Sequence, residues 1–89
     1  MMKTRTTAIS ELWHAVQSYI DNSDGHYPIS REAFQRAVNT ATVGEMVSAS
    51  AAATMGLWHH NDLLLEMDSA QLEVDMVALG FASRKRGEL

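Results

Sequence analysis

The residues best suited to metal chemistry are His59, His60 and Asp62, which lie within four positions of one another. Imidazole nitrogens and carboxylate oxygens are ligands of Zn²⁺. Adjacent histidines, however, point to different sides of a helix or strand, and neither an HExxH motif nor a second ligand pair accompanies them. We therefore predict a polar connection between helices, with no metal and no cofactor; a ligand or pH-sensitive role is the alternative.

Two Glu-x-Asp pairs form a second group of chemically capable residues: Glu66 with Asp68, and Glu73 with Asp75. Paired carboxylates hold Mg²⁺ or share acid–base work in many proteins. No basic or Gly-rich phosphate cradle accompanies these pairs, and exposed helix flanks commonly have the same composition. The pattern favours a solvated flank, with a partner-binding acidic patch and a metal site as alternatives.

Charge is distributed unevenly along the 89 residues, whose formal net charge is −4. Residues 37–83 contain six acids and no Lys or Arg, whereas Arg84, Lys85 and Arg86 follow directly. An acidic body repels phosphate backbones, so direct nucleic-acid binding is disfavoured and a partner protein with a basic surface is favoured. The three late cations leave one alternative, a nucleic-acid-associated regulator that binds through its basic C-terminal tail.

Composition narrows the protein class further. The chain has no cysteine, which excludes disulfides and thiolate zinc sites. No stretch reaches the roughly 20 apolar residues of a membrane span, and the first residues lack the apolar run of a signal peptide. We expect one helical domain over residues 1–89, soluble and cytoplasmic, with no membrane association.

The spacing of apolar residues predicts helices at about 7–21, 30–41, 42–58 and 62–79. Ser30 and Asn61 are the expected N-caps of the second and fourth helices, and Thr42 begins the third. The predicted fold is all-α, a compact bundle of four or five short helices around the small-residue-rich helix at about 42–58. A break at Asp68-Ser69 would give the fifth helix.

The helix at 42–58 is predicted to be the buried centre, because it contains a single charged residue, Glu45, which forms a capping box with Thr42. Small residues recur at every fourth position and predict a ridge that lets another backbone approach closely: Gly44, Ser48, Ala52 and Gly56. Apolar stripes on all helices predict a core that includes Ile9, Leu12, Trp13, Val16, Phe34, Val47, Trp58, Leu72 and Val77.

The last helix is predicted to have two nearly opposite apolar stripes. One contains Met67, Val74 and Val77. The surplus stripe contains Leu65, Leu72, Met76 and Leu79, and acids lie on the flanks between the two. A chain of this size is expected to cover only one stripe, so the other predicts a homodimer or a patch that a partner covers.

The expected function is that of a non-enzymatic protein-binding regulator or inhibitor, since no nucleophile–base pair or phosphate loop is present. In size and charge the chain resembles small inhibitors from phages and other mobile elements, such as anti-CRISPR proteins. That resemblance implies occupation of a basic surface on a nucleic-acid-processing complex. A structural or oligomerisation module forming a helical homodimer is a second alternative, beside the nucleic-acid-associated regulator. The predicted partner-binding residues are Asp62, Glu66, Glu73, Asp75, Leu65, Leu72, Met76 and Leu79.

Overall fold

The computed structural model describes residues 4–23, 25 and 27–78. Within them the chain forms four α-helices and a short 3₁₀ turn, so the predicted all-α bundle is confirmed. Among these described helices, none combines the length and the apolar character needed to cross a membrane. The elements are α1 (Arg5–Asp21), α2 (Arg31–Val38), α3 (Val43–Thr54), the 3₁₀ turn (Trp58–His60) and α4 (Asp62–Ala78).

Each helix begins at a side chain that accepts a hydrogen bond from an otherwise unpaired backbone N–H in the first turn. Ser30 and Asn61 accept at 3.1 Å, as predicted. The capping box of Thr42 and Glu45 is present in both directions, at 3.1 and 2.8 Å. Thr4 caps α1 in the same way, at 3.2 Å. The caps at Ser30, Thr42 and Asn61 were predictable because they are local in sequence, whereas α1 begins two residues before the predicted start, after Thr4.

Helix α3 is shorter than predicted, because Gly56 adopts a left-handed conformation with φ of 75°. The Leu57 N–H then donates to the Ala52 carbonyl at 2.8 Å, which closes the Schellman motif that commonly ends a helix. Trp58 therefore lies in the 3₁₀ turn rather than on α3. From that turn its side chain enters the core, where it is fully buried.

The small residues that face the core on α3 are not the predicted ridge. Only Ala52 of that ridge is buried; Gly44, Ser48 and Gly56 are exposed, and so is Val47. The buried face of α3 instead consists of Met46, Ala49, Ala52 and Ala53. Helix α3 thus buries one side only, and its low charge reflects exposed Gly, Ala and Ser rather than complete burial.

The helices pack in an alternating order: α1 packs chiefly against α3, and α2 against α4. Aromatic contacts join α1 to α2 and to the 3₁₀ turn. Trp13 of α1 meets Phe34 of α2 edge-on, with ring centroids 4.9 Å apart, and Tyr19 stacks on Trp58 at the same separation. The largest fully buried side chains are Trp58, Phe34, Leu12, Met46, Leu64, Met67, Val16 and Val38.

Arg5 fastens the start of α1 to the end of α2. Its guanidinium donates to the carbonyl oxygens of Val38 and Ala41, both at 2.6 Å. A cation at a helix C-terminus satisfies carbonyls that lack intrahelical partners and interacts favourably with the helix dipole. The contact spans 36 residues and has no local sequence signal.

We expect opposite effects from alanine at two glycines of the predicted ridge. Gly56→Ala should destabilise the fold by about 1–2 kcal/mol, because a Cβ disfavours left-handed backbone. Gly44→Ala should stabilise it by about 0.5–1 kcal/mol, because alanine is the better helix former and its Cβ would meet only Thr42 Oγ1, at 3.9 Å. Urea unfolding of both variants measures the two signs; a stabilised Gly56→Ala would contradict the Schellman ending.

Ala52 and its neighbour Ala51 form a second matched pair, since Ala52 is buried and Ala51 is exposed. Ala52→Leu should cost about 1–3 kcal/mol through overpacking against neighbouring core side chains. Ala51→Leu should change the free energy of unfolding by less than about 0.5 kcal/mol, as is usual at exposed sites. Equal melting temperatures for the two variants would show that Ala52 does not face the core.

Candidate protein-binding surface

Helix α4 has a core side and a solvent side. It runs without interruption through Asp68-Ser69, so its 3.6-residue period fixes which residues share a side. Leu65, Leu72 and Met76 lie opposite the core; Leu65 is 39% and Leu72 59% exposed, and Met76 is partly exposed. We call these three residues the α4 stripe. The buried side consists of Leu63, Leu64, Met67 and Gln71.

The structure therefore separates the two stripes that the sequence predicted. Met67 and Val74 face or border the core, as expected. Val77 and Leu72 were expected in the core and are 50% and 59% exposed, so that part of the core prediction was wrong. Leu79, the fourth predicted member of the surplus stripe, lies outside the described residues.

Acids flank the α4 stripe on both sides. Asp62, Glu66 and Glu73 are exposed and follow one edge of the helix at i, i+4 and i+11. Asp68 and Asp75 follow the other edge at i and i+7. The apolar stripe thus lies between three exposed acids on one edge and Asp68 and Asp75 on the other, of which Asp75 is exposed.

Glu73 differs from the other predicted binding acids, because it forms an ion pair with Arg36 of α2. Glu32, one turn before Arg36, adds a second carboxylate at 3.6 Å from the guanidinium. These side chains are largely exposed, so the pairs contribute little to stability. They do neutralise charge at this end of the flank, which leaves Asp62 and Glu66 as its stronger negative part.

Asp75 is oriented by Gln71, a buried polar residue that the sequence analysis did not single out. The Gln71 amide donates to Asp75 Oδ1 at 2.8 Å, and its carbonyl oxygen accepts from the Ser30 backbone N–H at 2.6 Å. A glutamine four residues after Met67, on the core side of a helix, requires such partners. The position of Gln71 on the apolar side of the helix was therefore the sequence signal that its amide would need hydrogen-bond partners.

Asp68, on the same edge as Asp75, is oriented by a hydrogen bond from a buried side chain. The Trp58 indole N–H donates to Asp68 Oδ2 at 2.9 Å. The Tyr27 hydroxyl lies 3.4 Å from the Asp68 carbonyl oxygen, a long hydrogen bond. Residues 27–30, which lead into α2, therefore run alongside the middle of α4.

A hollow of about 450 Å³ opens between this segment and α4. We call it the Tyr27 hollow; it is lined by Tyr27, Asp68, Ser69, Leu72 and Asp75. Burial, followed by the negative charges of Asp68 and Asp75, raises the pKa of Tyr27. The two acids therefore create a negative potential at the tyrosine hydroxyl.

Two other surface features are less informative about function. An open groove of about 710 Å³ lies between the C-terminal ends of α1 and α3, with mixed polar and small apolar lining such as Ser18, Asn22 and Ala53. His60 and Asp62 border a separate hollow with the start of α3. Within residues 4–23, 25 and 27–78, no three His, Asp or Glu side chains are grouped closely enough to hold a metal ion.

Comparison with known proteins gives no match: neither a family model, nor a curated protein, nor a solved structure is significantly similar to this chain. The function is therefore argued from the side chains on the solvent side of α4.

We expect Asp75→Asn to lower the pKa of Tyr27 towards its ordinary value, because one of the charges that disfavours the phenolate is removed. The raised pKa belongs to the folded state, so the neutral phenol contributes stability below the unfolded-state pKa. That contribution is lost as pH rises through the folded-state pKa. Ultraviolet titration of tyrosinate measures the shift, and Tyr27→Phe assigns it.

Asp62→Asn is the matched control for this titration. It also removes one α4 carboxylate, but Asp62 is not among the charges that raise the pKa of Tyr27. An equal shift in Asp75→Asn and Asp62→Asn would contradict a local field at the Tyr27 hollow.

Proposed function

We propose that this protein is a non-enzymatic regulator or inhibitor that binds a basic surface of a partner protein through the solvent side of α4. The observation that carries the proposal is Leu72, 59% exposed, together with Leu65, between the exposed acids Asp62 and Glu66 on one edge of α4 and Asp75 on the other. The helix itself contains no Lys or Arg. A complementary partner has apolar side chains at its centre and cations at its edges.

The two parts of this surface have different roles in binding. Burying a leucine contributes about 1.5–3 kcal/mol when it goes from full exposure to full burial, so the half-exposed α4 stripe supplies part of that per residue. Asp62 and Glu66 at the edge act mainly on association rate and on choice of partner, and their effect weakens with salt. Affinity therefore comes chiefly from Leu65 and Leu72, and specificity from the acids.

Electrostatics disfavours the homodimer alternative. If two copies paired through the α4 stripe, carboxylates of one copy would lie against carboxylates of the other in either helix orientation, because both flanks are acidic. Like charges across an interface are unfavourable. A basic heterologous partner turns the same contacts into favourable ones.

Nucleic-acid-binding proteins are one class with the required basic surface. Occupying such a surface with carboxylates competes directly with phosphate, which is the basis for proposing a nucleic-acid-processing complex as the target. Direct nucleic-acid binding by α4 is disfavoured by the same charges. The basic residues 84–86 lie outside the described residues.

The proposal is tested with a designed amphipathic peptide that has leucines along one helix face and lysines on both flanks. Amide shifts of isotope-labelled protein are followed by NMR. We expect the Lys peptide to perturb residues 62–76 and to bind more weakly as salt rises. A peptide of the same pattern with Glu in place of Lys should not bind, because it meets like charges.

Two matched variant pairs locate the binding site. Leu72→Ser is expected to weaken Lys-peptide binding by roughly tenfold, whereas Met55→Ser, at a residue 65% exposed that follows α3 and borders the groove between α1 and α3, should not change it. Asp62→Lys with Glu66→Lys should weaken binding several-fold, and Glu11→Lys with Asp21→Lys on α1 should not.

Circular dichroism checks that each variant remains helical. Equal losses in the α4 and α1 charge variants would mean that net charge alone attracts the peptide, which contradicts the proposed surface. Sedimentation velocity tests the alternative: a dimer of the wild-type chain that Leu72→Ser dissolves would support self-association instead.

A further inference from the structure

We propose that the Tyr27 hollow binds one arginine side chain of the partner. This inference rests on the proposed function, in which the partner is basic, and it identifies where a single cation is held. The proposal joins three observations: an exposed aromatic ring, an exposed leucine that lines the same hollow, and the exposed carboxylate of Asp75 with the charge of Asp68 on the same edge of α4.

The apolar part of an arginine side chain fits the apolar lining of the hollow, Tyr27 and Leu72. Tyr27 is 43% and Leu72 59% exposed, so both present apolar surface to an incoming side chain. The methylene stem of an arginine lies favourably on such surface while its charged end stays at the rim. A guanidinium also stacks on aromatic faces, and the chain already contains that contact, with Arg31 4.7 Å from the Trp13 ring centroid.

Asp75 suits the charged part. Its exposed carboxylate lines the hollow, and the Gln71 amide orients its Oδ1 from 2.8 Å. Asp68 lines the hollow seven residues earlier on the same edge of α4, but its Oδ2 accepts from the buried Trp58 indole at 2.9 Å and its Oδ1 is buried. Asp68 therefore contributes negative charge to the hollow, and Asp75 offers the accessible acceptor. Groups held in place in advance lose less conformational entropy when they bind.

The raised pKa of Tyr27 agrees with this geometry, since Asp68 and Asp75 both contribute to it. Burial, the first cause of the rise, acts whatever charge lies nearby, whereas the part due to Asp68 and Asp75 favours a group with positive charge at the hollow. The same negative field disfavours an anionic or phosphate ligand.

Arginine fits better than lysine for a physical reason. Its guanidinium is planar, weakly hydrated and carries five N–H donors, so one group can stack on Tyr27 and pair with a carboxylate at the same time. A lysine ammonium is compact and strongly hydrated, and it makes a point contact. The Tyr27 hollow offers both a flat ring and the exposed carboxylate of Asp75.

The test uses two small probes, Nα-acetyl-arginine N-methylamide and the citrulline analogue, which keeps the shape but has no charge. Each is titrated into the labelled protein at constant ionic strength. We expect the arginine probe to give saturable NMR shift changes at Tyr27, Leu72 and Asp75, and the citrulline probe to give none. Absence of a saturable change with the arginine probe overturns the proposal.

Three variants assign the contacts. Tyr27→Phe keeps the ring and should bind as the wild type does. Tyr27→Ala and Asp75→Asn should each weaken binding by about fivefold or more, since they remove the stacking surface and one charge. Asn at position 75 retains an oxygen for the Gln71 amide, so loss of fold does not explain the effect. Unchanged binding in Asp75→Asn overturns the proposal.

The two proposals fail separately. If the Lys peptide binds α4 as expected but the arginine probe gives no saturable response, the arginine site is wrong and the binding surface stands. If the arginine probe binds the Tyr27 hollow while the Lys peptide does not perturb residues 62–76, the proposed function is wrong and the site stands.

Discussion

The hydrogen bond between the Trp58 indole and Asp68 joins the turn after α3 to the middle of α4. Trp58 is completely buried and stacks on Tyr19, so one side chain contacts α1 and α4 and lies at the end of α3. A buried donor paired with a carboxylate is among the stronger hydrogen bonds, worth about 1.5–3 kcal/mol. This interaction acts together with the burial of Leu64 and Met67 to orient α4 about its own axis. Leu72 and Leu65 then point outward because they lie on the opposite side of the helix.

The contact between Trp58 and α4 depends on the backbone conformation of Gly56. Its left-handed backbone ends α3, and only then does Trp58 turn into the core and reach Asp68. Had α3 continued to residue 58, as its composition suggested, the indole would lie on a different face. The left-handed conformation of Gly56 thus determines that the Trp58 indole reaches Asp68.

Local features were predictable and non-local ones were not. The caps at Ser30, Thr42 and Asn61 depend on residues three positions away, and the two faces of α4 follow from helical spacing. Two contacts join chain segments that are far apart: the ion pair of Glu73 with Arg36, and the hydrogen bonds of Arg5 at the end of α2. A single sequence carries no signal for contacts of this kind. Val47, Leu72 and Val77 were placed in the core because they lie on apolar stripes, although folded proteins expose many apolar residues and these three are exposed.

The alternating packing of the helices has a consequence for how the chain acquires its structure. Because α1 packs chiefly on α3 and α2 on α4, neighbouring helices in the sequence do not form the principal pairs. A fragment of two consecutive helices among those described contains neither of these two interfaces. Folding must close loops between distant segments before the main contacts form, which raises the entropic barrier relative to an up-and-down bundle of equal length. Nascent chains emerging from the ribosome therefore cannot complete the fold until α4 is synthesised.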